Sequence, residues 1–189
     1  MRSLALVIAL FAASGAHAQR TNSAVTFGNT DAELCYSAAE MSRAPAGSLD
    51  HCDAALRDRS LPKKQRVATL INRGVVFNHR GNYPAAIADF EAALALDPQA
   101  SAAYVNRGNT YFYSRKLDLA IEDYSTSLQL NPRNPHLAHY NRGLVNEIKQ
   151  EEKLAFADFV RANELRPGWK PAETRIQQYR AKGFGESDQ

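Results

Sequence analysis

The tripeptide Asn-Arg-Gly stands three times in this chain, at Asn72-Arg73-Gly74, Asn106-Arg107-Gly108 and Asn141-Arg142-Gly143, spaced by 34 and then 35 residues. A fixed period of that length confines a chain to stacked supersecondary units, because each unit buries its apolar face only against its neighbours. The repeat extends past the tripeptide. Twelve residues after each Gly stands Ala86, Ala120 or Ala155; sixteen after it, Phe90, Tyr124 or Phe159; twenty-four after it, Pro98, Pro132 or Pro167.

Within one unit the apolar residues keep helical spacing, with Leu70, Gly74 and Phe77 on one segment and Tyr83, Ala86, Ile87, Phe90, Ala93 and Leu94 on the next. Arg80-Gly81-Asn82 lies between them as a turn. Asp97-Pro98, Asn131-Pro132 and Arg166-Pro167 close the units, since the residue before proline is driven out of the helical region and the ring cannot extend a helix. The pattern predicts a helix, a turn and an antiparallel helix, three times over, and hence an all-α fold. Gly facing Ala lets the two backbones approach, and the aromatic residue one turn further on fills the space beside them.

This Gly, Ala, aromatic, Pro order resembles the tetratricopeptide repeat family over about 67–167. The resemblance implies a right-handed superhelical solenoid of antiparallel helix pairs, with units at 67–100, 101–134 and 135–168 and their first helices lining a concave surface. The third unit departs from the pattern: Gln150 and Glu152 replace Gly81 and Tyr83, and Asn146 replaces the aromatic seen at Phe77 and Tyr111, which implies looser packing. Its extra residue falls near Asn134-Pro135 and lengthens an inter-unit turn, with Pro suited to the first helical position.

A stack of such units needs caps on its end faces. Residues 169–182 are expected to form a C-terminal capping helix in which Trp169, Ile176 and Tyr179 pack on the third unit, followed by a flexible tail over 183–189. At the other end, 31–62 reads as a degenerate helical hairpin turning at Pro45 and Gly47. Aligning Ala55-Leu56 with Ala93-Leu94 puts Cys52 where Phe90 stands and Cys35 one position before the Gly74 equivalent. A Cys35–Cys52 disulfide would then replace the missing aromatic packing.

Residues 1–18 read as an export signal: Arg2 is the positive start, Leu4 to Ala13 is an apolar run too short to span a bilayer, and Ala16-His17-Ala18 has the form of a cleavage site. Periplasmic or secreted localisation is expected, with the 19–30 segment flexible. That compartment is one in which a disulfide persists. No other apolar run reaches the length of a membrane helix, so membrane insertion is not expected. The 23 basic and 20 acidic residues are interspersed, without the Lys/Arg block of a nucleic-acid binder.

No nucleophile, phosphate-loop or metal signature is present, so neither catalysis nor a cofactor is expected. His136 and His139 could share a helix face but lack a third ligand. Arg73, Arg107 and Arg142 each precede an Asp by 16 residues (Asp89, Asp123, Asp158), which predicts three ion pairs within units, structural in role. Asn72, Asn106 and Asn141, rotated by about 100° from those arginines, should form an amide ladder on the concave face, suited to reading a peptide backbone. By resemblance the groove also takes in His79, Asn109, Phe112, Tyr113 and Tyr140. Some members of the family grip a C-terminal carboxylate with Lys and Asn, but no Lys stands at these positions, which favours an apolar or aromatic segment. The expected function is a protein or peptide interaction module for scaffolding or assembly. Self-association by end-to-end stacking and a metal-assisted enzyme using the two histidines are the alternatives.

Overall fold

The computed structural model describes residues 31–41 and 44–185. The export signal expected at 1–18, the 19–30 segment and residues 42–43 and 186–189 lie outside them. Nine helices and no strands occur among the described residues: α1 (Asp31–Glu40), α2 (Ser48–Arg57), α3 (Lys63–His79), α4 (Tyr83–Leu96), α5 (Ser101–Tyr113), α6 (Leu117–Gln129), α7 (Pro135–Ile148), α8 (Glu152–Leu165) and α9 (Lys170–Arg180).

The turns inside the three units share one design. The residue after each first helix cap is left-handed: Gly81 (φ 73°), Arg115 (φ 61°) and Gln150 (φ 64°). The next amide then donates back into the helix end, Asn82 N to Phe77 O at 2.9 Å, Lys116 N to Tyr111 O at 2.8 Å and Glu151 N to Asn146 O at 2.9 Å. These bonds satisfy carbonyls that the helix end would otherwise leave open. Only the first unit uses glycine there; the other two tolerate a side chain at a conformation costly for L-residues.

Across each pair the signature Gly faces the aromatic ring directly. A methyl group on Gly74, Gly108 or Gly143 would lie 2.6 Å from Phe90, 2.9 Å from Tyr124 or 2.8 Å from Phe159. All three rings and Ala86, Ala120 and Ala155 are fully buried. The glycine is thus the receptacle for the ring, a closer relation than two small residues merely letting backbones approach.

Successive first helices pack on one another, α1 on α3, α3 on α5 and α5 on α7, and each second helix also packs on the first helix that follows it. No comparable contact joins α4 to α6 or α6 to α8. The first helices therefore form the inner layer of a curved stack and the second helices the outer one.

In the N-terminal hairpin Cys35 and Cys52 are disulfide-bonded, with Cα atoms 4.8 Å apart and both residues fully buried. The other buried apolar residues of the two helices are Ala38, Ala39 and Ala55, so the bond does the work that a ring does elsewhere. A cross-link closing a loop of this length contributes about 3 kcal/mol. At the far end α9 buries Ala172, Ile176 and Tyr179 against α8. Of the tail expected at 183–189, the described part is packed: Gly183 (φ 91°) turns the chain so that Phe184 packs on Tyr179 (5.2 Å) and Phe156 (5.7 Å). The third unit is also not loosened by Asn146, which is buried and donates to Asp158 at 3.2 Å.

Candidate functional site

Each signature arginine makes a bidentate pair with the Asp of its own second helix. Arg73 donates through Nε and Nη2 to Asp89 at 2.8 and 2.6 Å, Arg107 to Asp123 at 2.9 and 2.8 Å, and Arg142 to Asp158 at 2.9 and 2.8 Å. These are the three ion pairs expected from the 16-residue spacing, and because their carboxylates are buried they are more strongly coupled than exposed pairs. A further arm reaches the second helix of the preceding unit. Arg73 Nη1 donates to Asp53 at 2.6 Å and Arg142 Nη1 to Ser125 at 2.9 Å, while Arg107 feels the charge of Glu91. Arg73 and Arg142 thus tie three helices together, two from their own unit and one from the unit before.

The carboxylates do not titrate alike. Burial pushes the Asp123 carboxyl up, and the Arg107 hydrogen bonds do not fully offset it. Burial acts on Asp158 in the same sense, but hydrogen bonds from His139 (2.9 Å) and Arg142 outweigh it and hold this carboxyl below its ordinary value.

The asparagine ladder is not where the sequence reading placed it. Asn72, Asn106 and Asn141 are buried, as is Asn109. Asn106 Nδ2 returns to Ala102 O of its own helix at 2.9 Å. Asn141 Nδ2 donates across the unit boundary to Asn109 Oδ1 at 2.9 Å, and the same oxygen accepts the Tyr124 hydroxyl at 2.8 Å. A first helix is covered by its own partner and by both neighbouring units, so a rotation of about 100° from the arginine points into the inter-unit contact rather than toward solvent. Phe112 and Tyr140 are buried for the same reason. Tyr140 packs on Phe159 at 5.5 Å and on Trp169 at 4.9 Å.

Of the groove residues expected from the sequence, Tyr113 and His79 remain accessible. Tyr113 is 39% exposed, with its ring parallel to that of Tyr83 at 6.1 Å. His79 is half-buried, and burial lowers its pKa, so its imidazole is neutral at pH 7. Asn78, Glu147 and Ile148 complete the partly exposed inner surface, and Glu147 is held by Arg175 at 3.1 Å. Tyr83 belongs to the apolar pattern of the second segment; its place opposite the end of the next first helix depends on how units stack, which the repeat alone does not display.

His136 and His139 part company. His139 serves Asp158, whereas His136 stands edge-on to Trp169 at 5.1 Å and beside Arg166. Among the described residues no group of three His, Cys, Asp or Glu could hold a metal ion.

A family model described as Tetratricopeptide repeat matches residues 101–134, and one described as TPR repeat matches 74–114. The chain carries tetratricopeptide repeats. Solved tetratricopeptide structures share the fold. The first TPR of Spaghetti (RPAP3) bound to the HSP90 peptide SRMEEVD is 26% identical, with 63% of this chain and 94% of that one covered and a TM-score of 0.59. The crystal structure of MamA is 25% identical over 72% and 78% of the two chains, with a TM-score of 0.62. YrrB, described as a TPR protein with an unusual peptide-binding site, is 25% identical over 70% of this chain and 66% of its own, with a TM-score of 0.60. No curated protein matches the chain. The helix pairs are those of a right-handed tetratricopeptide-type superhelix, capped by α9, and the accessible residues Asn78, His79, Tyr113 and Ile148 lie on its inner helices.

Proposed function

We propose that this protein is a non-enzymatic interaction module that holds an extended peptide or protein segment against the inner face of α3, α5 and α7. The observation that carries the reading is the composition of that face. Its accessible residues include Tyr113, stacked on Tyr83 from the start of α4, a neutral imidazole, an amide and an isoleucine, and the Glu147 carboxylate is already tied to Arg175. Such a surface suits an apolar or aromatic side chain with the adjoining backbone bonded to Asn78, rather than a clamped carboxylate. The peptide complex of RPAP3 and the peptide-binding site of YrrB support the use of this fold for peptide capture. The role is scaffolding or assembly outside the cytoplasm, periplasmic or secreted after cleavage near Ala18; the leader pattern and the Cys35–Cys52 bond support that placement.

The test is binding of peptides selected from a random library by the native protein. Tyr113→Ala with His79→Ala should weaken the selected peptides about 30-fold or more, the scale of losing one aromatic anchor. Equal binding by the variant would place the site elsewhere.

A further inference from the structure

The exposed large apolar side chains are not scattered. Of the five among the described residues, Met41 (46% exposed), Tyr113 (39%), Leu119 (41%) and Leu154 (56%) all lie at one edge of the solenoid, where first helices end and second helices begin. Met41 follows α1, Tyr113 ends α5, and Leu119 and Leu154 occupy the first turns of α6 and α8. The two leucines hold the same register position, eleven residues after their signature Gly. Units in such a stack follow one another at about 10 Å, so these side chains form a row along the edge rather than a concave patch.

Cations stand between them. Arg80, Arg115, Lys116 and Lys153 occupy the same turns and first turns, and none is paired with a carboxylate among the described residues. Arg80 donates to Pro45 O and Lys116 lies over the Tyr111 ring. Lys149 and Lys182 neutralise Asp118 and Glu152 of the same edge, which leaves Glu40, Asp50 and Glu151 as its uncompensated carboxylates.

We infer that this edge docks on an anionic lipid surface, with Leu119, Leu154, Met41 and Tyr113 entering the interfacial layer and the unpaired cations meeting lipid phosphates. An interfacial contact needs a row of protruding apolar side chains flanked by Lys and Arg and requires no shaped pocket. A protein partner would need a complementary contiguous surface, which a row of separated side chains does not supply. Among the described residues no helix is long and apolar enough to cross a membrane, and the contact inferred is peripheral. The edge shares Tyr113 with the peptide site proposed above, so the variants that test it leave Tyr113 unchanged.

The experiment is vesicle co-sedimentation at low salt, using the chain from Gln19 onward, which retains every described helix and excludes the apolar leader. The protein should sediment with vesicles containing phosphatidylglycerol and stay in solution with phosphatidylcholine alone. Leu119→Ser with Leu154→Ser should lower binding about tenfold or more, and Arg115→Gln with Lys116→Gln and Lys153→Gln about a hundredfold, the last effect shrinking as salt is raised. All five positions are exposed, so the variants should fold, which circular dichroism checks. Failure to bind phosphatidylglycerol vesicles, or equal binding by both variants, would overturn the inference. Binding of poly-glutamate without vesicle binding would do so too, assigning the edge to an acidic protein surface.

Discussion

At the residue scale the middle unit shows how one buried hydroxyl constrains its surroundings. Phe90 and Phe159 are matched by Val75 and Leu144, the residue after each signature Gly, whereas Tyr124 is matched by Asn109. A fully buried phenol needs an acceptor, and the Asn supplies one. This covariation among the three copies was in the sequence, and it is the signal that would have removed Asn109 from the groove. Tyr124→Phe should cost about 1 kcal/mol and Asn109→Leu about 2 kcal/mol. The double variant should cost less than their sum by at least about 1 kcal/mol in a denaturation cycle; strict additivity would show that the two groups do not depend on each other. The homologous carboxylates give a second residue-level outcome. Asp123, raised in the folded state, should titrate above the ordinary Asp value of about 3.9, and Asp158, lowered, below it. Asp158 therefore contributes stability that is present above its unfolded pKa and lost as pH falls through its folded one, while Asp123 contributes with the opposite sign. Carboxyl carbon NMR titrations checks the order, and finding Asp123 below Asp158 would refute it.

At the element scale the repeat made most of the architecture legible. Gly, Ala and Pro at fixed offsets locate two helices and two turns per unit, and an offset of 16 residues from Arg to Asp lies within one hairpin, where geometry is set by a short turn. The inter-unit relation was not legible in the same way, because the twist between units sets which side of a first helix meets its neighbour. That is why the Arg–Asp pairs could be read from spacing and the second arm of the arginine and the burial of Asn72, Asn106 and Asn141 could not. The turn conformation was legible only at Gly81; Arg115 and Gln150 hide an equivalent left-handed position behind side chains. Gln150→Gly should consequently stabilise the protein by about 0.5–1 kcal/mol, since it relieves the left-handed strain at a helix end that already makes the reverse-turn hydrogen bond. Thermal denaturation reads this directly, and a fall in melting temperature would show that Gln150 makes a contribution that outweighs the strain.

On the scale of the whole molecule, the cores are shared between neighbours and both end faces are covered, by the disulfide-linked hairpin at one end and α9 at the other. Among the described residues, capped ends disfavour end-to-end stacking, and the two surfaces proposed for contact are the inner face and the turn edge. The division of the signature tripeptide follows: Gly receives the ring, Arg is held by the Asp of its own hairpin, and Asn is buried, so the proposed recognition falls to residues outside the tripeptide. Hydrogen–deuterium exchange of the native protein with and without a library-selected peptide tests this most directly. Slowed exchange concentrated in α3, α5 and α7, strongest toward the ends bearing His79, Tyr113 and Ile148, is the predicted result; protection confined to α4, α6 and α8 would contradict it.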